Sequence, residues 1–252
     1  MQSQPSKIRP SASRLTNSRH HNLTPTRSLF VMNDPIVLET PSLRQRIESA
    51  YLHELKSEGR PPVSIFKLCQ TLGISERDFF SEYPSLDAVE THWWRGMMNA
   101  VIVSVESGAE WPTFSARHRM LAFLYAFTTA TLDHRSLLLL RLGHTSPLKS
   151  VPQWSALEDR YEQFAKSLLV LGRQQGEIAS RGPVTAIYPK AFRLLLRTVV
   201  AFNLKDDSPK FERTDAFIEK SVAVLFDLMG HQVLDSGFDL LRFLLPGVPH
   251  RA

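Results

Sequence analysis

The clearest candidate for chemistry is the segment of residues 63–83, in which two short stretches with helical apolar spacing flank Gly73. Ser64 and Ser75 each precede one stretch, where a serine side chain can cap a helix by accepting from a free amide. Gly73 allows the positive φ of a tight turn, and Ile74 follows it as an apolar plug between the helices. This order predicts a helix-turn-helix, whose second helix enters the major groove of DNA. A plain helical hairpin is the alternative.

Side chains in and near this segment could contact DNA in two ways. Cations and hydroxyls can bind phosphate oxygens, whereas side chains of the second helix can face the edges of bases. The candidate DNA-binding residues are Arg44, Arg46, Ser64, Lys67, Ser75, Glu76, Arg77, Asp78, Phe80 and Ser81. The second helix has one base, Arg77, against three acids, which is an unfavourable electrostatic pattern for duplex DNA. A carboxylate can still accept a hydrogen bond from cytosine N4, so the acids do not exclude binding.

The formal net charge of +5 comes from the N-terminal tail. Residues 1–33 contain five Lys and Arg and no acid, so the other 25 bases are balanced by 25 acids. Residues 1–35 lack apolar periodicity and are rich in Ser, Pro and Arg, which predicts a disordered basic tail. Their composition also matches an organellar targeting segment, and a start at Met32 is a third interpretation. The sequence leaves these three open.

Signatures of enzymes and metal proteins are not found in the sequence. It has no nucleophile elbow, phosphate-binding glycine loop or dinucleotide fingerprint, so no catalytic residue and no cofactor is predicted. The single cysteine, Cys69, cannot form an internal disulfide, and the nine histidines lack the spacing of metal ligands. No metal site is predicted, and a reducing, cytoplasmic location is expected. The longest apolar runs fall short of the roughly 20 residues that cross a bilayer.

From Ser42 onward the apolar spacing is helical and no segment keeps a period of two, which predicts an all-α fold of about ten helices. The first four helices are expected to start at serine caps and to be separated by Gly59, Gly73 and Pro84. The helices are expected at about 42–58, 64–72, 75–82, 85–107, 114–132, 134–143, 151–176, 184–204, 211–229 and 235–245.

Residues 43–95 resemble the N-terminal part of the tetracycline repressor (TetR) family of regulators. The likeness rests on three short motifs, which are Ile74-Ser75, Phe79-Phe80 and Tyr83-Pro84-Ser85. They occupy the turn, the recognition helix and the entry to a long fourth helix. The resemblance implies a TetR-like fold, with a three-helix helix-turn-helix domain at 42–84 and a C-terminal helical ligand and dimerisation domain at 85–248.

Two positions depart from the family pattern. Members of the family typically place a phosphate-binding tyrosine in the recognition helix and a phosphate-binding lysine at the start of the fourth helix. Phe80 and Leu86 occupy these positions here. A phenylalanine cannot donate to a phosphate oxygen, and a leucine has no charge that would displace a counterion, so DNA binding is expected to depend on other cations.

The resemblance also implies a homodimer. In proteins of this family two late helices form a four-helix bundle with their symmetry mates, which sets two recognition helices about one turn of DNA apart. The expected interface residues are Phe192, Leu195, Val199, Phe202, Phe217, Val222, Leu225 and Phe226. The alternative is that these apolar faces close the core of a single chain.

A pocket for a hydrophobic small molecule is expected among the middle helices, where aromatic and small residues mix. Its candidate lining is Trp93, Met97, Phe123, Phe127, Phe164 and Leu168. The alternative is that this stripe of aromatic and methionine residues is ordinary core.

The sequence therefore predicts a homodimeric transcription regulator that binds double-stranded DNA and responds to a hydrophobic small molecule. One alternative is a protein of the same fold that has lost DNA recognition and binds lipid, resembling the accessory lipid-binding protein of coenzyme Q synthesis. The acidic recognition helix and the apolar segment 238–245, which could lie on a membrane surface, favour that alternative. A second alternative is an adaptor that binds a partner protein and uses the helices only as a scaffold.

Overall fold

The computed structural model describes residues 40–143, 154–180 and 182–230. Within these ranges the chain forms nine α-helices and no β-strand, which confirms the predicted all-α class. The helices are α1 (Leu43–Glu58), α2 (Ile65–Leu72), α3 (Glu76–Glu82), α4 (Leu86–Glu106), α5 (Ala116–Leu132), α6 (Arg135–Leu142), α7 (Ser155–Gln174), α8 (Tyr188–Lys205) and α9 (Glu212–Met229). The helix expected at 235–245, with its apolar segment, lies outside the described residues.

Serine caps set the starts of the first five helices. In each cap the side-chain oxygen accepts a hydrogen bond from the amide three residues later; the capping residues are Ser42, Ser64, Ser75, Ser85 and Ser115. α1 and α2 end at Gly59 and Gly73, whose φ angles of 68° and 64° lie in the left-handed region. A side chain would be strained at either position. The four caps predicted from the sequence and the glycine turn at residue 73 are confirmed.

The first four helices share one apolar core. α1 contributes Ile47, Tyr51 and Leu55, which are fully buried. Leu68 from α2 and Phe79 from α3 are fully buried in the same cluster. Tertiary packing therefore stabilises these two helices, which are too short to be stable alone in water. α4 packs against α1 and also extends along α7.

The later helices pack around a cluster of aromatic rings. α5 packs on α7 and α9, and α8 packs on the same two helices. The ring centroid of Phe123 lies 4.8 Å from that of Phe164, 5.3 Å from that of Tyr161 and 5.9 Å from that of Phe127. Aromatic pairs at such distances stabilise a core beyond the area that they bury. In the described ranges, no helix combines the length and the apolar character that crossing a bilayer requires.

A buried ion pair joins α4 to α6, and a hydrogen bond from Tyr51 links α1 to the same carboxylate. Glu90 on α4 is only 1% exposed, and its two carboxylate oxygens accept from Arg141 on α6 at 2.9 and 2.5 Å. The same carboxylate accepts from the Tyr51 hydroxyl at 2.8 Å and from Trp94 Nε1 at 3.2 Å. Burial and the neighbouring Glu90 charge raise the pKa of Tyr51 above its ordinary value, so the hydroxyl stays a donor.

Candidate nucleic-acid interface

α2, a glycine turn and α3 follow one another as the sequence predicts. The Ile74 amide donates to the Cys69 carbonyl at 3.1 Å, and the Gly73 amide donates to the Gln70 carbonyl at 3.3 Å, which closes the turn. Ile74 is partly buried and packs against the core. The fully buried ring of Phe79 fixes α3 from its inner side. These contacts set the orientation of α3 against α1 and α2.

The outward face of α3 carries two acids and one base. Glu76, Arg77, Asp78, Phe80 and Ser81 are exposed, whereas Phe79 is fully buried. Because each helical residue turns the chain by about 100°, Arg77 and Ser81 lie opposite Phe79, and Glu76, Asp78 and Phe80 lie on its flanks. Within the described part of the chain, the side chains of Glu76 and Arg77 form no hydrogen bond or ion pair. Both can therefore contact an external partner.

The other two acids of α3 are engaged within the fold. Asp78 Oδ2 accepts from the Ser75 hydroxyl at 2.7 Å and from the Ser75 amide at 3.0 Å, and these bonds lower the pKa of Asp78. Glu82 Oε2 accepts from Arg44 Nε at 2.9 Å. Arg44 therefore offsets the charge of Glu82, whereas Asp78 stays charged and exposed, so the outward face keeps two acids against the single base Arg77.

Two of the candidate phosphate ligands are used to hold the short helices. Arg44 donates to the Glu82 carboxylate at 2.9 Å and to its main-chain carbonyl at 3.2 Å. Arg46 donates to the Leu72 carbonyl at the end of α2 at 3.0 Å. α1 thereby fixes the C-terminal ends of α2 and α3. The Lys67 side chain, in contrast, is exposed and forms no ion pair with any residue that the structure describes.

The candidate serines also make local contacts. Ser64 accepts from the Lys67 amide at 3.2 Å, and Ser75 accepts from the Asp78 amide at 3.1 Å. The Ser81 hydroxyl donates to the Asp78 carbonyl at 2.7 Å. A hydroxyl that donates within its own helix can still accept from another group, so Ser81 keeps a free lone pair on the outward face.

A polar cluster that the sequence reasoning missed connects α1, the end of α3 and α4. Glu48 Oε1 accepts from the Tyr83 hydroxyl and lies 2.6 Å from His92 Nδ1. His92 Nε2 lies 3.3 Å from the Arg44 guanidinium, which can only donate. This arrangement suits a His92 ring that carries its proton on Nδ1. The partners are up to 48 positions apart, so no local motif could have indicated the cluster.

A cleft of about 480 Å³ opens between α4 and α5, next to this polar cluster. Its walls include Glu48, His92, Trp93, Met97, Ala126 and Ala130. Two residues of the predicted pocket, Trp93 and Met97, therefore line a cavity. The other four are at most 2% exposed and lie in the core; they are Phe123, Phe127, Phe164 and Leu168.

A second groove, of about 410 Å³, lies on the outer faces of α8 and α9. Its most exposed apolar residues are Leu194, Val224 and Leu228, at 42%, 58% and 43%. None of these three was among the residues expected at an interface. In the single chain all three side chains are exposed.

The predicted interface residues divide between this groove and the core. Leu195, Phe217 and Leu225 line the groove. Phe202 stacks on Phe217 with ring centroids 4.4 Å apart. The remaining four are buried by the single chain itself; they are Phe192, Val199, Val222 and Phe226. Their burial requires no second copy.

In the described residues a helix-turn-helix, formed by two short helices and a glycine turn, precedes a long helix that enters a helical bundle. The model of the tetracyclin repressor-like C-terminal domain family matches residues 119–244, which is half of the chain. The chain belongs to this family, as the sequence resemblance indicated. The match begins within α5, so it does not include the helix-turn-helix.

Solved structures support the fold. A protein of unknown function from Rhodococcus sp. RHA1 is 18% identical and superposes with a TM-score of 0.51, over 78% of this chain and all of that one. A candidate TetR family transcription regulator from Shewanella sp. PV-4 is 14% identical with a TM-score of 0.53, over 76% of this chain and all of that one. No curated protein sequence matches significantly. Identities this low carry the fold and not the function.

Proposed function

We propose that the chain is a transcription regulator that binds duplex DNA as a homodimer, with α3 as the recognition helix. The outward face of α3 is the main support for this proposal. It presents Glu76, Arg77 and Phe80, while Phe79 and Glu82 hold the helix to the rest of the fold. A rigidly held helix with free polar side chains on its outer face suits the major groove, which is wide enough to admit a helix.

Lys67 and Arg77 supply the phosphate contacts in this proposal. Both are exposed, and neither forms an ion pair within the described residues, whereas Arg44 and Arg46 are engaged in holding helices. The free amides at the start of α2 add to the attraction for a phosphate. The basic residues 1–35 add affinity that does not depend on sequence.

The test is a band-shift titration of a randomised duplex library at several salt concentrations. The double variant Lys67→Ala, Arg77→Ala is expected to bind all sequences more weakly. The slope of log affinity against log salt should fall by about 2, because each lost phosphate contact removes about 0.9. Arg173→Ala, an exposed cation on α7, is the matched control and is expected to leave both values unchanged.

The same titration on a chain without residues 1–35 separates α3 from the tail. We expect weaker binding to all sequences but an unchanged preference among them, because the tail supplies only sequence-independent affinity. Loss of all duplex binding in this shortened chain, with no effect of the Lys67→Ala, Arg77→Ala pair in the full chain, would contradict the proposal.

The cleft beside α4 supports control by a hydrophobic small molecule. Glu48 and His92 line the cleft and also belong to the polar cluster that holds Tyr83 and Arg44 at the end of α3. A molecule in the cleft would therefore act on the residues that fix the recognition helix. The mainly apolar wall, with Trp93 among its side chains, suits an apolar body.

Nile red, a neutral apolar dye, is expected to bind this cleft and to lower duplex affinity about fivefold or more, the usual size of coupling between two sites. Ala100→Trp, at an exposed position in the cleft wall, is expected to abolish both dye fluorescence and the effect on DNA. Val103→Trp is the control, because Val103 is exposed on the same helix but does not line the cleft. Equal dye binding by the parent chain and Ala100→Trp would show that the ligand binds elsewhere.

A further inference from the structure

Phe80 is the largest apolar group on the outward face of α3. It is 52% exposed, and its ring meets the ring of Phe79 edge-on with centroids 5.6 Å apart. Because Phe79 is fully buried, the exposed ring is supported by a fixed neighbour. A phenylalanine ring has no hydrogen-bonding group, so a favourable contact with a base edge must be apolar. In the major groove the apolar group that distinguishes one base pair from another is the C5-methyl group of thymine.

Glu76 adds a second selective group to the same face. It precedes Phe80 by four residues and therefore lies one helical turn away. Its carboxylate forms no hydrogen bond or ion pair with the described residues, and an ionised carboxylate can only accept hydrogen bonds. Among the base edges of the major groove, the cytosine N4 amino group is the donor that such a carboxylate fits best. Phe80 and Glu76 together therefore match the methyl group of thymine and the amino group of cytosine.

We propose that recognition by α3 depends on a thymine methyl group that contacts Phe80 in each half-site, next to a cytosine whose amino group donates to Glu76. This inference rests on the proposed function and names the kind of sequence that the protein selects. A tyrosine in place of Phe80 could donate to a phosphate and would support all sequences alike. The phenylalanine instead makes the centre of the recognition helix discriminate between bases.

The experiment uses the full chain and the motif that it enriches from a randomised duplex library. Each thymine of that motif is replaced in turn by deoxyuridine, which removes only the C5-methyl group. One position in each half-site is expected to respond, with about a fourfold loss of affinity for one lost methyl contact and about fifteenfold when both half-sites are changed. All other thymines are expected to be replaceable without effect.

Three variants show whether Phe80 causes the sensitivity to the thymine methyl group. Phe80→Ala is expected to bind the thymine and deoxyuridine duplexes equally, and Phe80→Leu, which keeps an apolar side chain, is expected to retain part of the difference. Arg77→Ala is expected to weaken binding to both duplexes by the same factor and so to keep their ratio. Since Phe80 and Arg77 are exposed, these changes are expected to leave the fold intact.

The outcomes separate the two proposals. An enriched motif with no methyl-sensitive position overturns the inference and leaves the proposed function standing. Methyl sensitivity that persists unchanged in Phe80→Ala overturns it as well. If the chain enriches no motif, the proposed function itself is overturned.

Discussion

Arg141→Met is expected to lower the free energy of unfolding by about 3–5 kcal/mol, the usual cost of leaving a buried charge without its partner. The variant leaves the Glu90 carboxylate in the core with no cation, at 1% exposure. Methionine fills much of the space of the arginine stem, so the loss reports the unpaired charge more than a cavity. Urea unfolding would measure it as a lower midpoint with an unchanged slope.

Two further variants test whether burial of the unpaired charge causes the loss of stability in Arg141→Met. Glu90→Gln combined with Arg141→Met is expected to recover much of the loss, because the neutral amide still accepts from the Tyr51 hydroxyl. Arg193→Met breaks the partly exposed pair between Arg193 and Glu162 and is expected to cost less than about 1 kcal/mol. Equal losses for Arg141→Met and Arg193→Met would show that burial does not decide the energy of these pairs.

The helix boundaries could be predicted because their causes are local. A serine cap directly precedes its helix and accepts from the amide only three residues later, as at Ser75, and the turn at Gly73 needs only one residue with a positive φ. The first four helices therefore begin within a residue or two of the expected positions. Fold class follows from the same short-range pattern, since helical spacing is visible within a window of about a dozen residues.

The ion pairing of α3 could not be predicted, because it depends on contacts between distant residues. Glu82 is paired with Arg44, which is 38 positions earlier, and a count of acids in α3 cannot show this pairing. Nor could the count show that Arg44 is engaged in holding α3. Sequence composition gives the charges on an element, whereas the fold decides which of them face outward.

The sides of α8 and α9 that face the core could not be predicted, for a different reason. α8 and α9 carry apolar residues around more than half of their circumference, so periodicity alone does not say which side is covered by the chain. Phe192 and Val222 lie inward, whereas Leu194, Val224 and Leu228 face outward. The same holds for α5, where an aromatic stripe suited both a pocket and a core, and the structure places Phe123 in the core.

Charged residues placed in the groove on α8 and α9 are expected to prevent the homodimer from forming. Val224→Glu with Leu228→Glu is expected to convert a dimer to a folded monomer, because both side chains are exposed in the single chain and would face each other across a two-fold axis. Affinity for a palindromic duplex should fall about a hundredfold or more, since the second half-site is no longer bound intramolecularly. Affinity for a single half-site should not change.

Two matched variants locate the interface on this face. Val170→Glu, equally exposed on α7, is expected to leave the dimer and its DNA affinity intact. Val222→Glu changes a fully buried residue and is expected to unfold the chain, because it places a charge in the core of the single chain. Light scattering after gel filtration measures the mass of each variant. A parent chain that is monomeric at micromolar concentration would contradict the homodimer, and with it the placement of two recognition helices one turn of DNA apart.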